Sequence, residues 1–265
     1  MSTTTATRAT PPVTPETAWY LGCRPEQVSD RVILVGDPGR ARKIAALLNT
    51  VEWLNEDRGL TLATGAYHGQ RITVSAFGMG APVAAMVMHE LLNLGASTFL
   101  RLGTLLCLAP VEPGHLVLAD AALRDEATSA TYVPDGYPAA SDHDLAANLR
   151  VWLAMVGRPW HAGVVASQDG FYTRMIPADE GWSGDIEETR IRLERLGILG
   201  MDMETSTVLT VARRFGAKGG SLLLATVDAR TRRALKRAER ASAEDDMITI
   251  GLETLASLEP SAPAS

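Results

Sequence analysis

The stretch from Phe77 to Thr104 reads FGMGAPVAAMVMHELLNLGASTFLRLGT and contains a strand end, a glycine turn, a helical pattern and a second strand. Pro82 suits the first turn of a helix. Apolar residues then recur at helical spacing until Gly95, which can end the helix in the left-handed conformation. The run from Thr98 to Leu102 is apolar enough for a buried parallel strand. The stretch therefore predicts an α/β protein.

Arg101 is the unexpected residue of this apolar run. An unpaired guanidinium is costly to bury and usually has an anionic partner. Ligands of open α/β sheets bind at the carboxyl ends of strands. Arg101, Gly103 and Thr104 therefore predict an anion site made of a donor fork, a close backbone approach and a hydroxyl. A structural salt bridge is the alternative interpretation, and this stretch alone supports both equally.

The length of the chain is sufficient for one large α/β domain with a substantial core. The 265 residues are 46% hydrophobic, with a formal net charge of −6. The charge argues against nucleic-acid binding, and no apolar run is long enough for a membrane span. Cys23 and Cys107 lack metal or redox spacing and fit a reducing cytoplasm. We expect a polar, disordered leader at 1–18, a single domain at 19–258 and a tail at 259–265.

A second candidate anion site follows the predicted strand Arg31–Val35. The loop Gly36–Arg40, GDPGR, leads into a helical pattern, so free backbone N–H groups and the helix dipole point the same way. Arg40 lies in the first turn, where its charge opposes the dipole, which favours a ligand. The alternative interpretation is an ordinary turn. Arg58 alone would be a solvated loop residue.

Two further groups of residues lie next to predicted secondary-structure elements, one after a strand and one before a helix. Phe171 and Tyr172 follow the predicted strand 161–166 and could stack on a flat heterocycle or anchor their loop in the core. Asp202 and Glu204 precede a helix, where capping is the default interpretation.

Three segments are predicted only coarsely. Residues 120–140 carry few helical signals and predict an irregular excursion. The basic stretch 230–240 is either a lid or a solvated helical face. Residues 245–258 predict a terminal helix.

Four segments, in this order and spacing, resemble the nucleoside phosphorylase family that includes uridine phosphorylase and bacterial hexameric purine nucleoside phosphorylase. They are VGDPGRARKIA (35–45), the stretch quoted above (77–104), ASQDGFY (166–172) and GILGMDMETSTVLTVA (197–212). The resemblance implies a three-layer α/β/α sandwich with a central mixed sheet. It also implies a homo-oligomer, either a trimer or a hexamer built as a trimer of dimers, with no metal or organic cofactor and inorganic phosphate as co-substrate.

The same resemblance assigns the site residue by residue. Phosphate-binding residues would be Gly36, Arg40, Arg58, Arg101 and Thr104, with Arg58 coming from a neighbouring subunit. Ribose-binding residues would be Tyr20, Asp202, Met203 and Glu204, with Tyr20 also lent by a neighbour. Phe171 and Met175 would contact the base, and Asp228 would protonate it as it leaves while Arg101 acts on the phosphate.

The implied reaction is phosphorolysis of a nucleoside to free base and (deoxy)ribose 1-phosphate. Departures from the family pattern bear on the substrate. Tyr20 replaces a histidine, and Leu105 and Leu106 replace small residues beside the phosphate threonine. Met175 and Pro177 fall where uridine phosphorylases read uracil with a glutamine and an arginine, which favours a purine or modified nucleoside over uridine. The alternatives are a nucleoside hydrolase of the same superfamily and a catalytically degenerate nucleoside-binding homologue.

Overall fold

A computed structural model describes residues 17–259 of the chain. Most of the predicted leader and tail lies outside these residues. Ala18 falls within the predicted leader but is buried, and its N–H donates to the Cys23 carbonyl, so the folded domain includes Ala18. None of the helices in the described range is both long and apolar enough to span a bilayer.

The described residues form ten strands and six α-helices. The strands are β1 (Arg31–Val35), β2 (Asn49–Asn55), β3 (Thr61–Tyr67), β4 (Gln70–Ala76), β5 (Thr98–Cys107), β6 (Leu116–Asp125), β7 (Ala139–Ala140), β8 (Trp160–Gln168), β9 (Gly200–Asp202) and β10 (Lys218–Asp228). The α-helices are α1 (Pro38–Ala45), α2 (Ala81–Asn93), α3 (His143–Val156), α4 (Ser183–Arg195), α5 (Thr205–Arg214) and α6 (Arg237–Ser257).

The strands form one mixed sheet in the order β10-β6-β8-β9-β5-β1-β4-β3-β2, with β7 beside β6. Because β10 also pairs in parallel with β5, the strands β10, β6, β8, β9 and β5 close into a ring. The remaining strands extend from β5 as an open sheet. The predicted central mixed sheet is therefore confirmed, and its closure brings β5 and β9 side by side although they are distant in sequence.

Helices pack on both faces of the sheet. Apolar residues of α1, α3 and α6 pack together on one face, including Ile44, Leu149 and Met247. Residues of α2 and α5, including Met88 and Val208, pack on the other face. The alternation of side chains along β5 serves both layers. This arrangement confirms the predicted α/β/α sandwich.

The structure corrects several of the predicted secondary-structure elements. The strand predicted to end at Leu102 continues to Cys107, because β5 keeps partners in β10 and β9 after β1 has ended. The segment 120–140 is not wholly irregular, since β6 extends to Asp125 and β7 pairs with it. The terminal helix begins at Arg237. The exposed strand β2 was not predicted, because Asn49–Asn55 lacks a run of apolar residues.

Candidate active site

Arg101 lies on β5, next to the point where β1 ends. The pairing of β1 with β5 runs as far as Leu34 opposite Arg101. The Arg101 side chain faces the same side of the sheet as the buried Phe99 and is itself only 4% exposed. An arginine this deep in a sheet requires anionic partners.

Two carboxylates provide these partners. Arg101 Nη2 donates to Glu204 Oε2 and lies 3.2 Å from Asp202 Oδ2. Burial alone would lower the pKa of Arg101, but the charges of Asp202 and Glu204 outweigh it and raise the pKa. Two other guanidinium nitrogens, Nε and Nη1, are buried and meet no acceptor within residues 17–259. The guanidinium is therefore charged and has two unused donors, which suits an additional anion.

Gly103 makes room for this guanidinium. A Cβ atom built at Gly103 would overlap Arg101 Nη1, because positions 101 and 103 face the same side of the strand. Gly103 was predicted to allow a ligand to approach the backbone closely. The structure shows that the Arg101 side chain already requires a glycine at this position.

Asp202 and Glu204 are fixed by different contacts. Asp202 Oδ1 accepts from Ser167 Oγ at 2.6 Å, and Oδ2 accepts from Thr205 Oγ1 at 2.6 Å and from Thr205 N at 3.0 Å. Glu204 Oε1 accepts from Gly80 N at 2.6 Å, at the start of α2. Asp202 is therefore saturated with donors and has the contacts of a structural carboxylate that also neutralises Arg101. Glu204 has fewer partners.

These residues face a cleft of about 490 Å³, within the roughly 300–1,000 Å³ typical of small-molecule sites. Predicted site residues that line it are Arg101, Thr104, Phe171, Met175, Asp202, Met203 and Glu204. The wall also includes Leu105, Leu106 and Tyr172, which the sequence analysis related to the substrate pocket. The rest of the wall, which no site prediction included, is Met79, Ile176, Met201, Thr226, Val227 and Arg240. Leu105 and Leu106 narrow the cleft without closing it.

One end of the cleft is apolar. Phe171 and Tyr172 meet at 5.1 Å between ring centroids with perpendicular planes, in a single π-helical turn, Phe171–Met175. Met175 is buried in the same apolar cluster as Leu106. Pro177 lines a smaller neighbouring pocket together with Arg232. This end is suited to the face of a flat ring and offers little hydrogen bonding to its edge.

Gly36 and Arg40 lie beside the cleft and are not part of its wall. A Cβ atom at Gly36 would come within 2.6 Å of the Gly78 carbonyl oxygen, so only glycine allows these two loops to pack. Arg40 is buried, and its Nη1 donates to the Leu102 carbonyl at 3.0 Å, one residue from Arg101. The structure therefore places Arg40 close to the predicted anion position.

Tyr20 and Arg58 are outside the cleft of their own chain. The Arg58 guanidinium carbon lies 5.6 Å from the centroid of the Tyr20 ring, a cation–π distance. The Tyr20 side chain is partly exposed and Arg58 is exposed. Two residues predicted to act in a neighbouring subunit are thus together on one surface, and their role there stays a prediction.

Asp228 is also outside the cleft wall. Its Oδ1 accepts from Thr231 N at 2.6 Å, Thr231 Oγ1 at 2.9 Å and Arg230 N at 3.0 Å. Burial opposes ionisation of Asp228, but these hydrogen bonds and the Arg230 charge outweigh it and lower its pKa. The contacts are those of an ionised turn cap. The predicted role of Asp228 as general acid stays a prediction, and these contacts do not favour it.

Arg240 is the functional candidate that the sequence interpretation missed. The basic stretch 230–240 was interpreted as a lid or a solvated face, yet α6 begins at Arg237 and directs Arg240 towards the cleft. The mixture of basic and apolar residues in 230–240 does not indicate which way each side chain points, so only the helix start at Arg237 identifies Arg240. Within the described residues, no group of three or more His, Cys, Asp or Glu side chains is placed to hold a metal ion.

Comparison with known proteins agrees with this geometry. The family model described as "Phosphorylase superfamily" matches residues 30–256. The chain belongs to the phosphorylase superfamily. Within it, the chain resembles the nucleoside phosphorylases, which are pentosyltransferases. This confirms the family inferred from the four sequence segments.

Relatives of this phosphorylase differ in the base that their names give. The uridine phosphorylase of Thermococcus kodakarensis is 33% identical over 76% of this chain and 74% of its own length. The guanosine phosphorylase of Halorubrum lacusprofundi is 33% identical over 76% and 78%. The DeoD-type purine nucleoside phosphorylase of Roseobacter denitrificans is 30% identical over 88% and 97%. Sequence similarity therefore does not identify the base of the nucleoside that this enzyme cleaves.

A solved structure has the same fold as this phosphorylase. The crystal structure of uridine phosphorylase from Vibrio fischeri ES114, complexed with 6-hydroxy-1-naphthoic acid, superposes with a TM-score of 0.81 at 29% identity. The alignment covers 91% of this chain and 97% of that one. The predicted nucleoside phosphorylase fold is therefore confirmed.

Proposed function

We propose that this enzyme cleaves a purine or modified nucleoside by phosphorolysis, giving free base and (deoxy)ribose 1-phosphate. The observation that carries the proposal is the buried Arg101 guanidinium, which has two unused donors beside Glu204 in an open cleft. A hydrolase would attack with water and would have no need for a buried cation there. The open cleft argues against a homologue that has lost its site.

In this proposal the nucleophile is inorganic phosphate. Two residues of the cleft wall bind the phosphate, Arg101 and Thr104. The adjoining loop of the same subunit contributes two further phosphate-binding residues, Gly36 and Arg40. A phosphate oxygen forms a bond to the anomeric carbon while the bond from that carbon to the base nitrogen breaks. The departing base keeps the bonding electron pair, so positive charge develops on the sugar. Arg101 holds the nucleophile in line and stabilises its charge.

The sugar would lie over Glu204 and Met203. A carboxylate is a strong hydrogen-bond acceptor for ribose hydroxyls. Because Arg101 is paired with both Asp202 and Glu204, the Glu204 carboxylate can still accept hydrogen bonds from a ligand. The negative charge of Glu204 also favours the oxocarbenium-like transition state. Asp202 acts by holding Arg101 and the start of α5 in place.

The base would lie against Phe171, with Met175 at its edge. Uracil presents amide-like donors and acceptors that need matched polar partners, and leaving them unpaired in an apolar pocket is costly. Phe171, Met175 and Ile176 offer area for stacking and few hydrogen bonds. A purine or a modified ring gains more from stacking on such a surface.

A substrate panel tests this proposal. Purine, pyrimidine and 5′-modified nucleosides are incubated with the protein, with and without phosphate, and free base and sugar 1-phosphate are quantified. We expect phosphate-dependent release of a purine or modified base, and slower release of uracil by about tenfold or more, the discrimination expected from unmatched polar edges. Uridine as the best substrate would contradict the base assignment.

We also propose a homo-oligomer in which Tyr20 and Arg58 complete a neighbour's site. Their joint position on one surface, away from their own cleft, supports this. Mixing an Arg58→Ala variant with an Arg101→Lys variant should restore part of the activity, because some sites then combine an intact Arg58 with an intact Arg101. Sedimentation as a monomer, or no recovery on mixing after subunit exchange, would contradict the shared site.

We place the enzyme in the cytoplasm, because Cys23 and Cys107 are both buried free thiols. Burial raises the pKa of Cys23 to about 11 and, with the charge of Asp228, that of Cys107 to about 12, so both remain protonated thiols at neutral pH. Recovery of the protein outside the cytoplasm on cell fractionation would contradict this.

A further inference from the structure

Arg40 occupies the gap that opens when β1 leaves the sheet. The last pair joining β1 to β5 is Leu34 with Arg101, and β5 then continues without β1. Arg40 Nη1 donates to the Leu102 carbonyl at 3.0 Å within this gap. The side chain therefore replaces a missing strand partner and brings its guanidinium next to the cleft residues of β5.

Glu244 determines how this guanidinium is oriented. Its Oε1 accepts from Arg40 Nε at 2.6 Å, and its Oε2 accepts from Lys43 Nζ at 2.7 Å. Glu244 is buried, whereas the Lys43 side chain is half exposed. With Nε and Nη1 both engaged, the remaining nitrogen, Nη2, makes no hydrogen bond to any residue from 17 to 259. One donor of Arg40 is thus left in a fixed direction.

A fixed direction matters because arginine carries large rotamer freedom. Arg40 also lies in the first turn of α1, where the helix dipole repels a positive charge. Without Glu244, a bound anion would have to compensate both the loss of rotamer freedom and the repulsion by the helix dipole. Glu244 compensates them before any ligand arrives, which is preorganisation of the donor.

We propose that Glu244 is a positioning residue for the phosphate subsite, acting through Arg40. This inference rests on the proposed phosphorolysis and adds a residue from α6 to it. Arg240, one turn earlier on α6, lines the cleft itself. The first half of α6 therefore contributes Arg240, which lines the cleft, and Glu244, which acts through Arg40. Glu244 and Arg40 are 204 positions apart in the sequence.

The test is Glu244→Gln, which keeps the shape of the side chain and removes its charge. We expect the KM for phosphate to rise roughly tenfold, because a charge-assisted hydrogen bond is replaced by a weaker one and the donor loses its fixed orientation. The kcat at saturating phosphate and the KM for the nucleoside should change by less than about twofold, since neither depends on the resting orientation of Arg40. A purely structural role would instead lower kcat and the melting temperature and leave the phosphate KM unchanged.

Lys43→Met is the matched control, because it removes the other partner of the same carboxylate and leaves the Arg40–Glu244 pair intact. Its phosphate KM should stay within about twofold of the wild type, as expected for a half-exposed ion pair. Glu244→Asp, which keeps the charge with a shorter reach, should fall between the wild type and Glu244→Gln. Equal increases in Glu244→Gln and Lys43→Met would overturn the positioning role.

Calorimetric titration of phosphate separates this inference from the proposed function. Wild-type protein that neither binds phosphate nor uses it in base release would overturn both. Wild-type protein that does both, with a Glu244→Gln variant of equal phosphate affinity, would overturn the positioning role alone. The predicted result is binding by the wild type and a roughly tenfold weaker Kd for Glu244→Gln, matching the change in KM.

Discussion

Replacing Arg101 with lysine is expected to lower kcat/KM for phosphate by about 10²- to 10³-fold, the usual effect of losing a donor that stabilises transition-state charge. Lysine keeps a positive charge near Asp202 and Glu204 but cannot supply the fork of donors that Arg101 Nε and Nη1 provide. Steady-state kinetics at varied phosphate measure the effect. Circular dichroism and a melting curve close to that of the wild type show that the fold is retained.

Two further variants separate charge from geometry at this position. Arg101→Ala leaves both carboxylates buried without a cation, so we expect a loss of about 3–5 kcal/mol of stability as well as activity. Gly103→Ala keeps Arg101 but occupies the space of its guanidinium, and should lower activity as strongly as Arg101→Lys. Full activity in Arg101→Lys would show that the guanidinium is a structural salt bridge and not a phosphate ligand.

Replacing Glu204 with glutamine is expected to lower kcat/KM for the nucleoside by about 10²- to 10³-fold. The carboxylate is proposed to accept from the ribose hydroxyls and to stabilise the developing positive charge, and a neutral amide does both poorly. The amide oxygen can still accept from Gly80 N, so the start of α2 should keep its position. Kinetics at saturating phosphate, with the melting temperature as a check on folding, give the measurement.

Glu253→Gln is a suitable control for Glu204→Gln. Glu253 is a partly buried glutamate that contacts the side chains of Tyr67 and His68, and it lies on α6 away from the cleft wall. Its variant should keep full activity. An unchanged kcat/KM for the nucleoside in Glu204→Gln would contradict the assignment of Glu204 to the ribose. It would not affect the phosphate assignment, which the Arg101 variants test.

The sequence predicted the site where a residue conflicted with its surroundings. Arg101 in an apolar strand is an anomaly that burial makes costly. Asp202 and Glu204 were interpreted by default as helix caps and were assigned to the site only through the family resemblance. That Arg101 pairs with both carboxylates was not predictable, because the pairing depends on closure of the sheet into a ring. The sequence patterns locate elements one at a time and carry no information about such closure.

Long-range partners account for the other differences. Glu244 lies just before the helix predicted at 245–258 and belongs to no pattern that the sequence analysis singled out. Its role follows only from its contact with Arg40 across 204 positions. Asp228 was assigned from the resemblance, but its hydrogen bonds to the following turn could be placed only with the backbone of Arg230 and Thr231 known. Strand β5 was predicted too short because its apolar run was taken to stop at Leu102, whereas the strand continues through Gly103, which accommodates the Arg101 side chain.

The most direct test of phosphorolysis at this cleft follows the fate of phosphate. The best nucleoside of the panel is incubated with inorganic phosphate and the reaction is observed by phosphorus NMR, with free base measured in parallel. The proposed reaction predicts a new sugar 1-phosphate signal that grows in equal amount with the free base, and no base release when phosphate is omitted. Base release at an undiminished rate without phosphate, accompanied by free sugar, would contradict it.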